Sequence, residues 1–453
     1  MRTAAWGLIG AVALLACGGP APGNGAPVTN QQLAEEEADE AEYGSPEALA
    51  AKRQACHFGA GASVAETLGL DDEARAVLPI RHVIVLMKEN RSFDLILGRL
   101  HESGQPASER IPAGFTNPDT SGAAVGPFHL PTTCVAHDPA HQWGSMHRQI
   151  DGENMDGFVK SAAASTGTDG HFVMGNYDAH DLPFYYWMAN TFAVDDRHFA
   201  SERSGTYPNR LFMLLGTADG VTATGKGYPS PSTRTIFDSL DAARVTWGVY
   251  SDGSLLGGAL PWARTHVGAH SYGSFLAALD DGSLPEVAFV DGIDDVEDEH
   301  PVGDVQVGEQ WTRGIYEHAI ASDLWPELAI VWTYDEAGGF ADHVPPPQHA
   351  CVARPVPRDA AFDEPGTRVP FAVVSPWAKP HYVSHVVHEH AAITRFIEAV
   401  FGLGALTARD ANSDALLDLF DFTHPALLEP PAAPAGGELG CLRRVGARDG
   451  TRP

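Results

Sequence analysis

Two stretches of this sequence run from an apolar segment straight into side-chain oxygens. "HVIVLMKENRSFD" leads into Glu89 and Asn90, and "LAIVWTYDEAGGFADHVPPP" leads into Asp335 and Glu336, with Asp342 and His343 a short loop later. Runs this apolar and β-branched read as strands buried on both faces of a mostly parallel sheet. The carboxyl ends of such strands are where α/β folds gather their ligand-binding groups. Carboxylates joined by an amide oxygen make a hard-oxygen set suited to one divalent cation such as Mg, Ca or Mn. Gly338 and Gly339 permit a sharp reversal that would fold His343 back over the acids.

A third stretch, "SERSGTYPNRLF", places Thr206 two residues before Pro208, at the mouth of an expected helix. Free N–H groups and the helix dipole favour a phosphate there. The Thr206 hydroxyl is then either a helix cap or, beside a cation, a nucleophile. Asn209 and Arg210 follow in position to hold phosphoryl oxygens, with structural ion pairing the alternative for Arg210. His137 and His141 lie beside Asp138 in "HDPAHQW", and His300 stands in "VEDEHPVGD". An imidazole, with an ordinary pKa of about 6.5, can protonate a leaving alkoxide or bind a phosphate. The tract "HYVSHVVHEH" (His381, His385, His388, His390) fits no common zinc spacing and reads as mostly structural.

The elements that must position these groups alternate in type. Strands are expected at 82–87, 245–250, 286–291, 328–334 and 369–375. Helices are expected from Asn209, over 304–322 and over 389–402. This alternation predicts one α/β domain over 56–425 with helices on both faces of its sheet, followed by a Pro/Ala-rich surface tail over 426–453. The first 17 residues carry one Arg, a short apolar run and Leu14-Leu15-Ala16-Cys17, which reads as a lipoprotein signal. Residues 18–55, rich in Pro, Gly and Glu, read as a disordered acidic tether. The expectation is an exported protein, lipid-anchored to the cell envelope at the outer membrane or periplasm, or secreted. Cys56, Cys134, Cys351 and Cys441 then suit two disulfides in any of three pairings, a Cys56–Cys441 clip being one. A net charge of -30, with no offsetting Lys/Arg cluster, excludes a nucleic-acid backbone as the main partner.

The pieces occur together in one known family. "HVIVLMKENRSFD", "DPAHQW", "MDGFV", "MGNYDAHDLPFYYWMANTFAVDDRHF", "TYPNRLF", "DEHP", "YDEAGGFADHVPPP" and "SPWAKPHYVSHVVHEHAAITRFIE" span residues 80 to 403. The sequence resembles the bacterial phosphoesterases that include non-haemolytic phospholipases C, related acid phosphatases and the plant non-specific phospholipases C. The resemblance implies an alkaline-phosphatase-like three-layer α/β sandwich. It implies Glu89, Asn90, Thr206, Asp335 and Glu336 as ligands of one divalent ion, with Ca, Mg, Mn or Zn all admissible. It makes Thr206 the nucleophile and places His141 and His300 near the substrate phosphate, with Asn209 and His343 as further phosphate-binding candidates. One departure stands out, since Ala337 occupies the place where the family commonly has His.

The expected activity is metal-dependent hydrolysis of phosphate esters through a phosphothreonine, of phospholipase C type on phospholipids. An acid phosphatase acting on monoesters is the alternative, and a catalytically inactive surface binding protein is the second. Aromatics of "LPFYYWMANTF" (182–192) are either a choline-seating mouth to the site or helix core.

Overall fold

Seven strands form the central sheet of the computed structural model, which describes residues 43–253, 270–437 and 441. In chain order they are β1 (His82–Lys88), β2 (Ala193–Asp195), β3 (Trp247–Ser251), β4 (Val287–Asp291), β5 (Leu328–Tyr334), β6 (Phe371–Val374) and β7 (Tyr382–Ser384). Across the sheet the order is β7-β2-β6-β5-β1-β4-β3. Every neighbouring pair is parallel except the two that β6 makes, with β5 and with β2. The five expected strands are therefore present. β2 and β7, three residues each, had too little apolar sequence to announce themselves.

Five helices matter for the site: α1 (Pro46–Gln54), α2 (Pro183–Thr191), α3 (Thr206–Leu215), α4 (Val305–Ala321) and α5 (His390–Phe401). Phe184 and Met188 of α2 and Ile315 and Tyr316 of α4 close over Leu86, Ile330, Trp332 and Val374 on one face of the sheet. The opposite-facing Val83, Val85, Val331 and Val373 are equally buried, so both faces are covered in the expected three-layer manner. The aromatics of α2 belong to this core. Tyr185 and Tyr186 are buried, and Trp187 stacks on Phe184. A hydrophobic face turned onto a sheet outcompetes any role at a site mouth.

Two expectations, about the tether and the cysteines, are corrected. The predicted tether includes an ordered helix, α1. Ser45 caps it, Pro46 begins it, its Leu49 is 1% exposed, and Arg53 binds the Thr67 carbonyl at 2.7 Å and Asp414 at 3.2 Å. The predicted leader, 1–17, and the tether's first part lie outside the described residues. The tail is docked as far as it is described. Gly437 N donates to Glu309 Oε2 at 2.9 Å, and Arg313 Nε donates to the Pro434 carbonyl at 2.8 Å. The disulfides join Cys56 to Cys351 and Cys134 to Cys441, so no bridge clips Cys56 to Cys441. Cys441 instead ties the tail to the loop that precedes the His141 segment. Among the described residues, no helix is long and apolar enough to cross a membrane.

A buried ion pair fixes the floor of the site. Lys88 Nζ, at the end of β1, lies 2.9 Å from Glu299 Oε1, and both side chains are shielded from solvent. Lys88 also donates to the Glu297 and Gly308 carbonyls at 2.7 and 3.0 Å. Tyr185 and Tyr334 each donate a hydroxyl to Glu299 at 2.5 Å. This network holds the 297–308 segment, which carries His300, against the sheet. Removing one partner of a buried pair strands the other charge and costs about 3–5 kcal/mol. Lys88→Met is therefore expected to lower unfolding free energy by about that amount, read from urea denaturation against the unaltered protein. A change under about 1 kcal/mol would show that the pair does not hold this segment.

Candidate active site

Parallel pairing of β1 with β5 matches Lys88 with Tyr334, so the residues that follow each strand emerge side by side. Asp335 N donates to the Lys88 carbonyl at 3.0 Å, carrying the pairing one step further. Asn90 then turns the chain with φ of 59°, a left-handed conformation that Asn tolerates better than most residues. Its N–H donates to Asp335 Oδ1 at 2.9 Å, and Glu336 N donates to the same oxygen at 2.7 Å. Gly338 turns at φ of +64°, where an added Cβ would lie 2.3 Å from the Asn90 carbonyl oxygen. Glycine is required there on both counts.

The Asn90 amide is the hub. One of its terminal atoms lies 2.6 Å from Glu336 Oε1, 3.0 and 3.2 Å from the two Asp335 oxygens, and 3.3 Å from Glu89 Oε2. The other lies 2.8 Å from His300 Nε2. Thr206, the first residue of α3, donates its hydroxyl to Glu89 Oε2 at 3.0 Å. Arg210, one turn further along α3, binds Glu89 Oε1 through Nε and Nη2 at 3.0 and 2.8 Å, and Asp291 Oδ1 through Nη1 at 2.8 Å. One Glu89 oxygen is thus held by Arg210, and the other faces Thr206 and Asn90. Asp291, at the end of β4, is a contributor that the sequence reading passed over.

These groups fit a divalent cation. Glu89, Asp335 and Glu336 are at most 1% exposed, and among the described residues neither Asp335 nor Glu336 has a Lys or Arg at ion-pair distance. Burial and the neighbouring Asp335 charge drive the Glu89 carboxyl well above the usual carboxylate range, against the pull of Arg210. Burial does the same to Glu336, where the Asp335 charge adds and the His141 charge opposes. A cation among the carboxylates removes that penalty. The Asn90 amide agrees. His300 Nδ1 lies 2.6 Å from the Pro301 carbonyl, so Nδ1 carries a proton and a neutral ring offers Nε2 as an acceptor. The Asn90 NH2 then faces His300, and its oxygen faces the carboxylates, as a metal-ligating oxygen does.

His141 sits across from His300, their ring centroids 5.8 Å apart. Its Nδ1 contacts the Pro139 carbonyl at 2.8 Å, and its Nε2 lies 4.0 Å from Glu336 Oε1. Burial would depress its pKa, but the Glu336 and Asp138 carboxylates outweigh burial and hold it up at about 10. Ala337, in the place of the family's usual His, is fully buried.

Two expected phosphate binders are placed otherwise. Asn209 spends its amide on the loop before Thr206. Nδ2 donates to the Glu202, Ser204 and Gly205 carbonyls at 3.3, 3.0 and 3.1 Å, and Oδ1 accepts from Glu202 N at 3.0 Å. It shapes the approach to α3, because a fully buried amide must satisfy its own donors first. The turn through Gly338 and Gly339 carries His343 not over the acids but to Asp94, whose oxygens lie 2.8 and 3.0 Å from Nδ1. There Arg368 bridges Asp94 and Asp342 at 2.9 Å each. Conversely, His390 of the tract read as structural reaches the site from behind, its Nε2 2.6 Å from the Asp335 carbonyl oxygen. No spacing rule in the sequence pointed to that contact.

Comparison with known proteins identifies the family. Residues 80–404 match the family model described as the Phosphoesterase family. Non-specific phospholipase C1 of Arabidopsis thaliana is 32% identical over 375 residues, covering 74% of this chain and 69% of that protein. Phospholipase C A of Mycobacterium tuberculosis (strain ATCC 25618 / H37Rv) is 30% identical over 409 residues, covering 76% and 78%. Among solved structures, a protein in the alkaline phosphatase superfamily from Vibrio parahaemolyticus aligns over 83% of this chain and 80% of its own, at 10% identity and a TM-score of 0.37. With its match covering most of the folded body, the chain belongs to the Phosphoesterase family and is a hydrolase acting on phosphoric ester bonds.

Proposed function

We propose that this protein cleaves phospholipids in the manner of a phospholipase C, through a phosphothreonine formed on Thr206. The observation that carries the reading is the meeting of Thr206, at the N-terminus of α3, with Glu89, and of Glu89 with Asn90, Asp335 and Glu336 around one point. Those four residues and the Thr206 hydroxyl would hold the cation. When bound, it supplies Lewis-acid stabilisation of charge on the phosphoryl group and on the attacking oxygen.

This chain's residues do the rest. Glu89 Oε2 accepts the hydrogen bond of the Thr206 hydroxyl and can take its proton. Thr206 Oγ1 forms a bond to phosphorus as the ester P–O bond to the alcohol breaks. The α3 N-terminus faces the developing phosphoryl charge. His141 protonates the departing alkoxide, and His300 keeps the Asn90 amide turned so that its oxygen faces the carboxylates. Water then cleaves the Thr206 phosphoester and regenerates the hydroxyl. The phospholipase relatives support the diester substrate. The α2 aromatics lend it no help, since they lie in the core. Export with a lipid anchor at Cys17 is proposed on the leader sequence, and two disulfides suit an oxidising compartment.

Thr206→Ala should lower turnover by about 10³-fold or more, a loss of at least about 4 kcal/mol of transition-state stabilisation, with the circular dichroism spectrum unchanged. Residual activity within tenfold of the unaltered protein would exclude the covalent route. Hydrolysis of p-nitrophenyl phosphorylcholine and of p-nitrophenyl phosphate separates the substrate classes, and a strong preference for the monoester would favour an acid phosphatase. Turnover of neither, with every divalent ion supplied, would leave a binding protein.

The His141 titration tests the cradle itself. A histidine whose folded pKa exceeds its unfolded value stabilises the fold fully below about pH 6.5 and stops doing so as the pH rises through about 10. In chelator-treated protein, nitrogen-detected NMR should find the His141 midpoint near 10. Adding a divalent cation should move it down, because a neutralised Glu336 no longer holds the proton. A midpoint that ignores the cation would place the metal elsewhere.

A further inference from the structure

A second group of side chains lies apart from the cradle, beyond the ends of β2 and β7 at the sheet's edge. His388, in a two-residue strand paired with His198–Phe199, is fully buried. Its Nδ1 lies 2.8 Å from Asp195 Oδ2 at the end of β2. Its Nε2 points at two further carboxylates, Asp418 Oδ1 at 3.5 Å and Asp414 Oδ1 at 3.7 Å. Neither contact has hydrogen-bond geometry. Both His388 Nε2 and Asp418 Oδ1 are buried polar atoms without a hydrogen-bond partner. Such atoms are rare in native proteins and ask for an explanation.

The far oxygen of each carboxylate is already tethered. Asp418 Oδ2 accepts from the Ser384 hydroxyl, and Asp414 Oδ2 pairs with Arg53 of α1 at 3.2 Å. One oxygen on each is therefore held, and the other is aimed at His388 Nε2. The two oxygens lie 3.5 and 3.7 Å from Nε2, and all three atoms lie within 4.8 Å of one another, the spacing of ligands around an ion. The Asp195 contact is the arrangement in which a carboxylate orients a metal-binding imidazole and makes it a better donor. Asp414 is 31% exposed at its side chain, whereas Asp418 Oδ1 and His388 Nε2 are closed to solvent.

We propose that His388, Asp414 and Asp418 form a second cation site. One nitrogen and two carboxylate oxygens suit a zinc-type divalent ion. A neutral imidazole and two carboxylates balance its charge. The site shares no ligand with the cradle, although His390, two residues on, touches the Asp335 backbone. It ties α1, through Arg53 and Asp414, to the sheet edge.

Other clusters are better explained without an ion. Arg368 already neutralises Asp94 and Asp342 beside His343, and Asp138, His141 and His300 belong to the site described above.

The test is equilibrium dialysis of the full chain against Zn²⁺, with metal content read by mass spectrometry. Asp335→Asn, which disables the cradle, should retain one Zn²⁺ per chain. Asp418→Asn and His388→Gln should each hold one fewer than the unaltered protein. Asp195→Asn should weaken Co²⁺ binding at this site by about 10–100-fold. A readout that leaves the proposed site unaltered is the Asp335→Asn protein loaded with Co²⁺, which should show one paramagnetically shifted imidazole N–H from His388. No Zn²⁺ on Asp335→Asn, no shifted imidazole signal, or full metal content in folded Asp418→Asn would overturn the proposal.

Discussion

Everything at the active site depends on the parallel pairing of β1 with β5. That pairing matches Lys88 with Tyr334 and so delivers Glu89-Asn90 and Asp335-Glu336 to the same place. A shift of one residue would turn each acid to the other face of the sheet, because side chains alternate along a strand. The register is held by burial on both faces, where Ile84, Leu86, Ile330 and Trp332 pack under α2 and α4 and the intervening valines pack on the other side. The apolar core is therefore the device that brings like charges together, which they would not do unaided.

That gathering of charge is costly, and the surroundings divide the cost. Arg210 takes one oxygen of Glu89, backbone N–H groups take one oxygen of Asp335, and the Gly338 N–H takes one oxygen of Glu336 at 2.7 Å. The oxygens left over face Asn90 and Thr206. An arrangement in which each acid has one oxygen tethered and one aimed inward is preorganised, and preorganised charge is where most enzymes find their largest rate contribution. The same construction recurs at His388, which is why an ion is inferred there too. The Lys88–Glu299 network works at longer range, holding the His300 segment so that Nε2 reaches Asn90.

Several residues show where reading along the chain succeeds and where it stops. Glu89, Asn90, Thr206, Asp335 and Glu336 were legible because each follows an apolar strand or opens a helix, and the family resemblance then joined them into one site. Asn209 and His343 were assigned to the phosphate by proximity in sequence. Their hydrogen bonds go elsewhere, because the buried amide and the buried imidazole each find closer partners. The disulfide pairing could not be chosen from spacing, since the two bridges close loops of 295 and 307 residues. Helix α1 was hidden by the acidic, Pro- and Gly-rich composition around it, although Ser45-Pro46 is a sound helix start.

By itself the sequence determined the class of fold, the strand ends that carry acids, a helix starting close to Thr206, and a donor set of oxygens suited to a divalent ion. These are properties of hydrophobic period and local chemistry, which a strand or helix carries wherever it sits. Tertiary structure alone decided partners: which oxygen of Glu89 meets Thr206, that Arg210 and Asp291 belong to the site, that His390 backs Asp335, and that His388 faces Asp414 and Asp418. Those contacts join residues as much as 117 positions apart, and only the packed sheet brings them within reach.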